Sequence, residues 1–179
     1  KLAFDMDFIG IQNYTREIVS HAHFVPFLQA KIVRASKRKV ERTMMNWEVY
    51  PQSIYEILKK YDKYEGIKEI IITENGAAFE DEVLGDSVHD QSRVNFLQDH
   101  IAQILKAKSE GVKVTGYFVW TLMDNFEWAE GFLPRFGLIY VNFNDNSRII
   151  KSSGYWYKNF LSPTKKPSFT LQEDAKNLL

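Results

Sequence analysis

Two kinds of hydrophobic spacing alternate along the chain. Residues 7–13 (Asp-Phe-Ile-Gly-Ile-Gln-Asn), 68–73 (Lys-Glu-Ile-Ile-Ile-Thr) and 112–120 (with Val114, Tyr117, Phe118 and Val119) bunch their apolar positions. Each reads as a strand, and the unbroken run Ile70-Ile71-Ile72 is the pattern of a strand covered on both faces. Between them the spacing turns helical. Residues 52–65 put Ile54, Ile57, Leu58 and Tyr61 on one face, and residues 87–110 do the same with Val94, Leu97, Ile101, Ile104 and Leu105. Ser87 followed by Asp90 fits a capping pair at the start of the second helix. Gly66 and Gly111 stand just past the two helices, where a left-handed C-terminal residue is expected. Strand, helix, strand, helix, strand is the order of a parallel α/β fold.

The remaining segments are less regular. Residues 15–46 form a long connection carrying Lys31, Arg34, Lys37, Arg38, Lys39 and Arg42. It reads either as a solvated loop or as a wall of a substrate entrance, since long loops on such folds often carry function. Residues 136–143 suggest a short extra strand, residues 162–168 a Pro-containing loop, and the segment from Leu171 a short helix. No internal repeat or low-complexity stretch is visible.

Composition narrows the picture. A length of 179 residues suits one domain, and a hydrophobic share of 45% excludes a disordered chain. Lys and Arg balance Asp and Glu at 23 each, so no long-range field draws in nucleic acid or an anionic membrane. The absence of cysteine rules out disulfides and thiolate metal sites and fits a cytoplasmic location. No apolar run reaches the length of a membrane span, and no signal peptide is visible. The chain opens on Lys1 rather than Met, which leads us to expect an upstream part.

Candidate chemistry starts at Glu74. It follows Ile70-Ile71-Ile72-Thr73 and precedes Asn75-Gly76, so it stands at the C-terminal end of a parallel strand. That is where α/β barrels place catalytic groups, although a structural partner for a buried Arg would occupy the same position. The next strand runs into Trp120-Thr121-Leu122-Met123-Asp124-Asn125-Phe126-Glu127-Trp128, with two Trp and two acids in nine residues. Trp faces stack on pyranose C–H faces, and a carboxylate accepts paired hydrogen bonds from sugar hydroxyls. The competing reading is that the Trp residues belong to the core.

These segments, in this order, resemble family 1 glycoside hydrolases. Thr73-Glu74-Asn75-Gly76 is similar to the family's nucleophile motif, Asp7-Phe8-Ile9-Gly10-Ile11 to its sixth barrel strand, and Val119 through Trp128 to its eighth-strand signature. Arg135-Phe136-Gly137-Leu138-Ile139-Tyr140-Val141, Trp47-Glu48-Val49-Tyr50-Pro51 and the Asp90–Arg93 pair also fall in place. The resemblance implies an α/β fold: a partial (β/α)8 TIM barrel, with residues 1–179 supplying its last three strand-helix units. It implies a retaining β-glycosidase in which Glu74 is the nucleophile and Tyr14 orients it. Trp120, Glu127, Trp128 and Phe136 would bind the sugar. The family usually has Asn where this chain has Gln12, so an amide is kept with a longer reach.

One expected part is missing. Retaining glycosidases use two carboxyl groups about 5–5.5 Å apart. The family's acid/base lies in an Asn-Glu-Pro motif on the fourth strand, and this chain contains none. The resemblance therefore implies the nucleophile half of an enzyme acting on β-linked glucosides or galactosides, inactive alone and needing no metal or cofactor. Glu127-Trp128 stands where phosphosugar-specific members usually have Ser and a Lys/Tyr pair, which points to an unphosphorylated sugar. A second reading is a non-catalytic carbohydrate-binding or relic half-barrel. In either case the open strands lead us to expect self-association or pairing with the missing N-terminal barrel part.

Overall fold

The structure, a computed structural model, describes residues 5–162. Three strands form a parallel sheet in the order β1 (Ile9–Gln12), β4 (Ile70–Asn75), β7 (Val114–Val119). The crossovers carry α1 (Gln52–Tyr61) and α2 (Gln91–Ser109), which lie together on one face of the sheet. Between sheet and helices Ile11, Ile54, Leu58, Ile70, Ile72, Ile104 and Val114 make one closed core. Ile70 and Ile72 are buried, whereas Ile71 between them is only half-buried. The continuous Ile run suggested cover on both faces. Among the described residues only the helical face has it.

On the other face the strands approach closely. A Cβ on Gly10 would meet Thr73 Cγ2 at 3.1 Å, and one on Gly116 would meet Ile71 Cγ2 at 3.1 Å. The register pairs Ile9 with Ile70 and Ile11 with Ile72, then shifts so that Gln12 stands opposite Glu74. A similar shift follows Ile72 against β7, pairing Asn75 with Val119. These two irregularities lie at the C-terminal ends of the strands; a third, between Ile70 and Ile71 against β7, lies at the start of β4.

The loops at that end carry their own structure. Residues 15–46 are not featureless: they hold a hairpin of β2 (Val19–His21) and β3 (Ala30–Ile32) and one turn of 3-10 helix, Ala35–Lys37. After β4 comes a second hairpin, β5 (Glu82–Leu84) with β6 (Ser87–His89). After β7 the chain forms a third, β8 (Ile139–Val141) with β9 (Arg148–Ile150), and ends in α3 (Ser152–Leu161). The extra strand expected in residues 136–143 is β8. Neither β9 nor α3 was anticipated. The helix from Leu171, and nearly all of the Pro-containing loop, lie outside the described residues.

Three local expectations are corrected. Ser87 belongs to β6, and α2 begins at Gln91 after Asp90, whose carboxylate makes no capping bond because Arg93 and Ser153 occupy it. Gly66 is not a left-handed cap, since α1 already closes at Tyr61 and two further turns intervene. Gly111 does follow α2 at a φ of +98°. Leu105 is half-exposed instead of buried, because it lies at the rim of the stripe that Ile101 and Ile104 turn inward.

Candidate active site

Glu74 stands at the end of β4 with both carboxylate oxygens engaged. Gln12 donates from Nε2 to Oε1 at 2.8 Å, and the Tyr14 hydroxyl donates to Oε2 at 2.6 Å. The strand shift opposite Gln12 makes the first contact possible, and the turn after β1 brings in the second. Asn75, fully buried, ties the strand ends beneath this pair. Its Nδ2 donates to the Asn13 carbonyl at 2.7 Å, and its Oδ1 accepts from the Tyr117 hydroxyl at 2.8 Å.

The segment after β7 passes over the same strand end. The Trp120 amide donates to the Asn75 carbonyl at 2.9 Å. A Cβ on Gly76 would lie 1.8 Å from the Trp120 carbonyl oxygen, so only glycine permits this approach. Trp120 in turn donates from Nε1 to Glu127 Oε1 at 3.3 Å. Glu74, Tyr14, Gln12, Trp120 and Glu127 thus form one cluster at the mouth of the sheet.

Aromatic rings wall the cluster. Tyr14 has Trp47 at 5.3 Å and Phe136, edge-on, at 6.4 Å between ring centroids. Phe136 is buried, while Trp128 is 90% exposed and makes none of the site's hydrogen bonds. Trp47 had drawn attention only as part of a matching segment; its place against Tyr14 is a through-space contact with no local signature.

The electrostatics are those of an acid-rich cleft. Burial, the bond to Glu74 and the negative charges of Glu74 and Glu127 push the Tyr14 phenol above its usual range. Tyr14 is therefore a neutral hydrogen-bond donor at any ordinary pH. Burial also raises the Glu127 carboxyl; the Trp120 N–H pulls it back down, and the charge on Glu74 raises it further. Among the described residues no three His, Asp or Glu side chains are grouped to hold a metal ion.

A buried charge network holds the loops that carry this cluster. Lys151, wholly buried, lies 2.7 Å from Asp81 and 2.8 Å from Asp124. Arg93 pairs with Asp81 at 3.0 Å and with Asp90, and it donates to the Ala77 and Arg135 carbonyls. Asp124 also accepts from the Gly137 amide at 2.8 Å. Of the two acids in the segment after β7, Asp124 thus serves the scaffold and Glu127 faces the site. Only the Asp90–Arg93 pair was picked out from sequence. Asp81 and Lys151 are distant along the chain and carry no shared pattern.

The profile of Glycosyl hydrolase family 1 matches residues 1–166. The chain belongs to this family. Among its relatives, Beta-glucosidase A of Thermotoga maritima is 49% identical over 155 residues, covering 86% of this chain and 34% of the relative. A 1,4-beta-D-glucan glucohydrolase of Thermotoga neapolitana is 45% identical over 88% of this chain and 35% of its own length. A 6-phospho-beta-galactosidase of Clostridium acetobutylicum is 37% identical over 76% of this chain and 29% of its own. Among solved structures, the family 1 β-glucosidase from Thermotoga maritima superposes with a TM-score of 0.81 at 47% identity, covering 86% of this chain and 34% of that one.

Family 1 glycoside hydrolases are (β/α)8 barrels, and this chain corresponds to part of one. It spans about a third of the length of the relatives it matches. No helix among the described residues is long and apolar enough to cross a membrane.

Proposed function

We propose that this chain is the nucleophile-bearing, C-terminal portion of a retaining β-glycosidase acting on unphosphorylated β-glucosides or β-galactosides. In this reading β1, β4 and β7 are the sixth, seventh and eighth barrel strands, and residues 1–179 belong to one catalytic barrel. Glu74 attacks the anomeric carbon, forming a C1–O bond as the bond to the leaving oxygen breaks. A carboxyl group on the rest of the barrel protonates that oxygen, and water then releases the sugar from Glu74. Tyr14 and Gln12 hold the attacking carboxylate. Trp120 is the floor for the sugar ring, Glu127 takes its hydroxyls, and Phe136 supports Tyr14. Trp128 would reach the sugar only from its exposed position.

The observation that carries this reading is the double hold on Glu74, 2.8 Å from Gln12 and 2.6 Å from Tyr14, beside the Trp120–Glu127 pair. A half-barrel kept only for binding would have no use for a carboxylate fixed in this way. Relatives named as β-glucosidases, one solved with isofagomine lactam, support a β-glycoside substrate; one relative is named a 6-phospho-beta-galactosidase, so the unphosphorylated preference rests on Glu127 and Trp128.

By itself the chain should not hydrolyse cellobiose. Losing general acid catalysis alone costs roughly 10²–10⁴-fold in rate, and the sugar contacts of the other strands would be absent too. The assignment is tested by joining residues 1–179 in frame to the remainder of the Thermotoga maritima relative. A 2-deoxy-2-fluoro-β-glucoside with a dinitrophenolate leaving group should then label a peptide containing Glu74, and Glu74→Gln should remove both label and turnover. A label on any peptide lacking Glu74, or turnover surviving Glu74→Gln, overturns it.

A further inference from the structure

The hairpin of β2 and β3 stands apart from the barrel-like part of the molecule. Its strands pair with each other and have no comparable contact with any other element. Its tip, Phe24-Val25-Pro26-Phe27-Leu28, has no side chain able to hydrogen-bond. Phe24 is 99% exposed, Phe27 104% and Leu28 79%. Below the tip Val19 and Ile32 face each other across the ribbon, also mostly exposed. Isolated exposed apolar residues are ordinary, but three large ones in a five-residue tip, with a further exposed pair on the same ribbon, are not.

The tip is ordered. The Ala22 amide donates to the Gln29 carbonyl at 2.7 Å, the Gln29 amide to Val25 at 2.9 Å and the Leu28 amide to Pro26 at 2.7 Å. Phe27 and Gln29 hold left-handed φ values of +64° and +45°, a conformation that non-glycine residues rarely adopt. The fold thus fixes a turn that presents Phe24 and Phe27 to water.

Directly behind the tip the charge becomes strongly positive. Residues 30–42 hold six Lys or Arg against Glu41 alone. Arg38 is spent on Glu48 and Arg42 on Asn46. Lys31, Arg34, Lys37 and Lys39 have no ion-pair partner among the described residues. The zero net charge of the chain conceals this local excess.

We propose that residues 19–42 form a docking finger for an anionic lipid surface, with the apolar tip entering the headgroup–acyl boundary and Lys31, Arg34, Lys37 and Lys39 meeting the headgroups. Two anchoring contributions of this kind add: burial of the tip, and attraction of the cations within a Debye length of the surface. A single-stranded nucleic acid is the weaker fit. It would need rings interleaved with cations along a groove, whereas here the apolar set is terminal, includes aliphatic Val25 and Leu28, and precedes the cations. The proposal does not depend on the enzymatic reading.

Flotation of the purified 179-residue chain with vesicles tests it, since aggregated protein does not float. Binding is expected to vesicles of phosphatidylcholine with about one-third phosphatidylglycerol. It should be weak to pure phosphatidylcholine and should weaken as salt is raised to about 1 M, where the Debye length is near 3 Å. Phe24→Ser with Phe27→Ser should lower the partition constant by roughly tenfold per ring removed. Lys31, Arg34, Lys37 and Lys39 changed together to Gln should erase the preference for anionic vesicles. Both variants alter exposed side chains, and an unchanged melting transition confirms the fold. Failure of the wild-type chain to float with anionic vesicles overturns the proposal, as does wild-type flotation by the double Phe variant. So does a finding that the Phe changes alter only self-association, which would make a second copy the partner.

Discussion

Glu127 shows how one side chain can be set against its own fold. Burial and the charge of Glu74 both favour its neutral form, and only the Trp120 N–H at 3.3 Å favours the carboxylate. Its folded-state pKa therefore lies above the ordinary 4.5. A carboxyl shifted upward contributes its stability in full below the unfolded value and loses it as pH rises through the folded one. At neutral pH the ionised Glu127 should be a net cost to the fold, a cost that sugar hydroxyls would offset on binding. Glu127→Gln should accordingly melt at a higher temperature than the wild-type chain at pH 7. The two should converge as pH falls toward 4.5, the ordinary value. Thermal melts across that range check it; a variant less stable at pH 7 would mean that the Trp120 bond outweighs burial. Tyr14 is shifted the same way. Burial first, then the bond to Glu74 and the charges of Glu74 and Glu127, keep its phenol neutral, so it donates to Glu74 without competing for the negative charge.

At the scale of elements, what binds the site together is the joint between α2, the turns after β4 and β7, and the start of α3. Lys151 supplies the cation between Asp81 and Asp124, all three nearly inaccessible to water. Lys151→Met would leave two buried carboxylates with Arg93 and Arg135 alone. Breaking a buried pair by removing one partner typically costs about 3–5 kcal/mol. Urea unfolding of the variant should show a loss in that range, and a loss below about 1 kcal/mol would mean that water already reaches the pair. Beyond the Asp90–Arg93 pair nothing in the sequence disclosed this joint, because Lys151 stands 27 and 70 positions from Asp124 and Asp81 with no common period. The elements that were legible are those with one dominant period: β1, β4, β7, α1 and α2, each with a clear apolar run or stripe. Of the three-residue strands only β8 was anticipated, from the apolar run at 136–143; the others were too short to show alternation. In α3 Trp156, Tyr157 and Phe160 stack on one face, with Trp156 and Tyr157 against the core, but Ser153 is the one fully buried residue and Tyr155 is exposed, so the stripe is too short to announce the helix. Glu74, Trp120 and Glu127 stood out through their places at strand ends, Tyr14 and Gln12 through family resemblance, and the structure adds the register shift that brings Gln12 opposite Glu74. The hairpin at 19–32 went unread because its two three-residue strands show no alternation, and only the charges of residues 15–46 drew notice.

For the whole molecule the decisive feature is that the parallel sheet has two free edges. β1 pairs only with β4, and β7 only with β4, among the described residues. Beside β7 a cavity of about 680 Å³ opens between the strand and α3, lined by Tyr117, Val119, Leu138, Ile150, Tyr157 and Leu161. Beside β1 a smaller one of about 370 Å³ is lined by Met6, Ile9, Tyr61, Tyr64 and Ile67. Phe118 on the β7 edge and Phe8 ahead of β1 are each more than half exposed. A closed barrel removes such edges by pairing its first and last strands, and unprotected edges recruit another chain. No proline interrupts either strand to discourage pairing. The 179-residue chain should therefore self-associate at micromolar concentration, its β7 edge meeting the β1 edge of a second copy, unless the rest of the barrel occupies both. Sedimentation velocity across a concentration series should show the mean mass rising with concentration. Phe24→Ser with Phe27→Ser should leave that rise in place, because the finger is separate from both edges. Phe118→Lys, at an exposed ring near the end of β7 that also lines the larger cavity, should reduce it without disturbing the core under α1 and α2. A sharp monomer at every concentration with a cooperative melting transition would show that the edges are already covered within one chain, and the two cavities would then be closed rather than waiting for a partner.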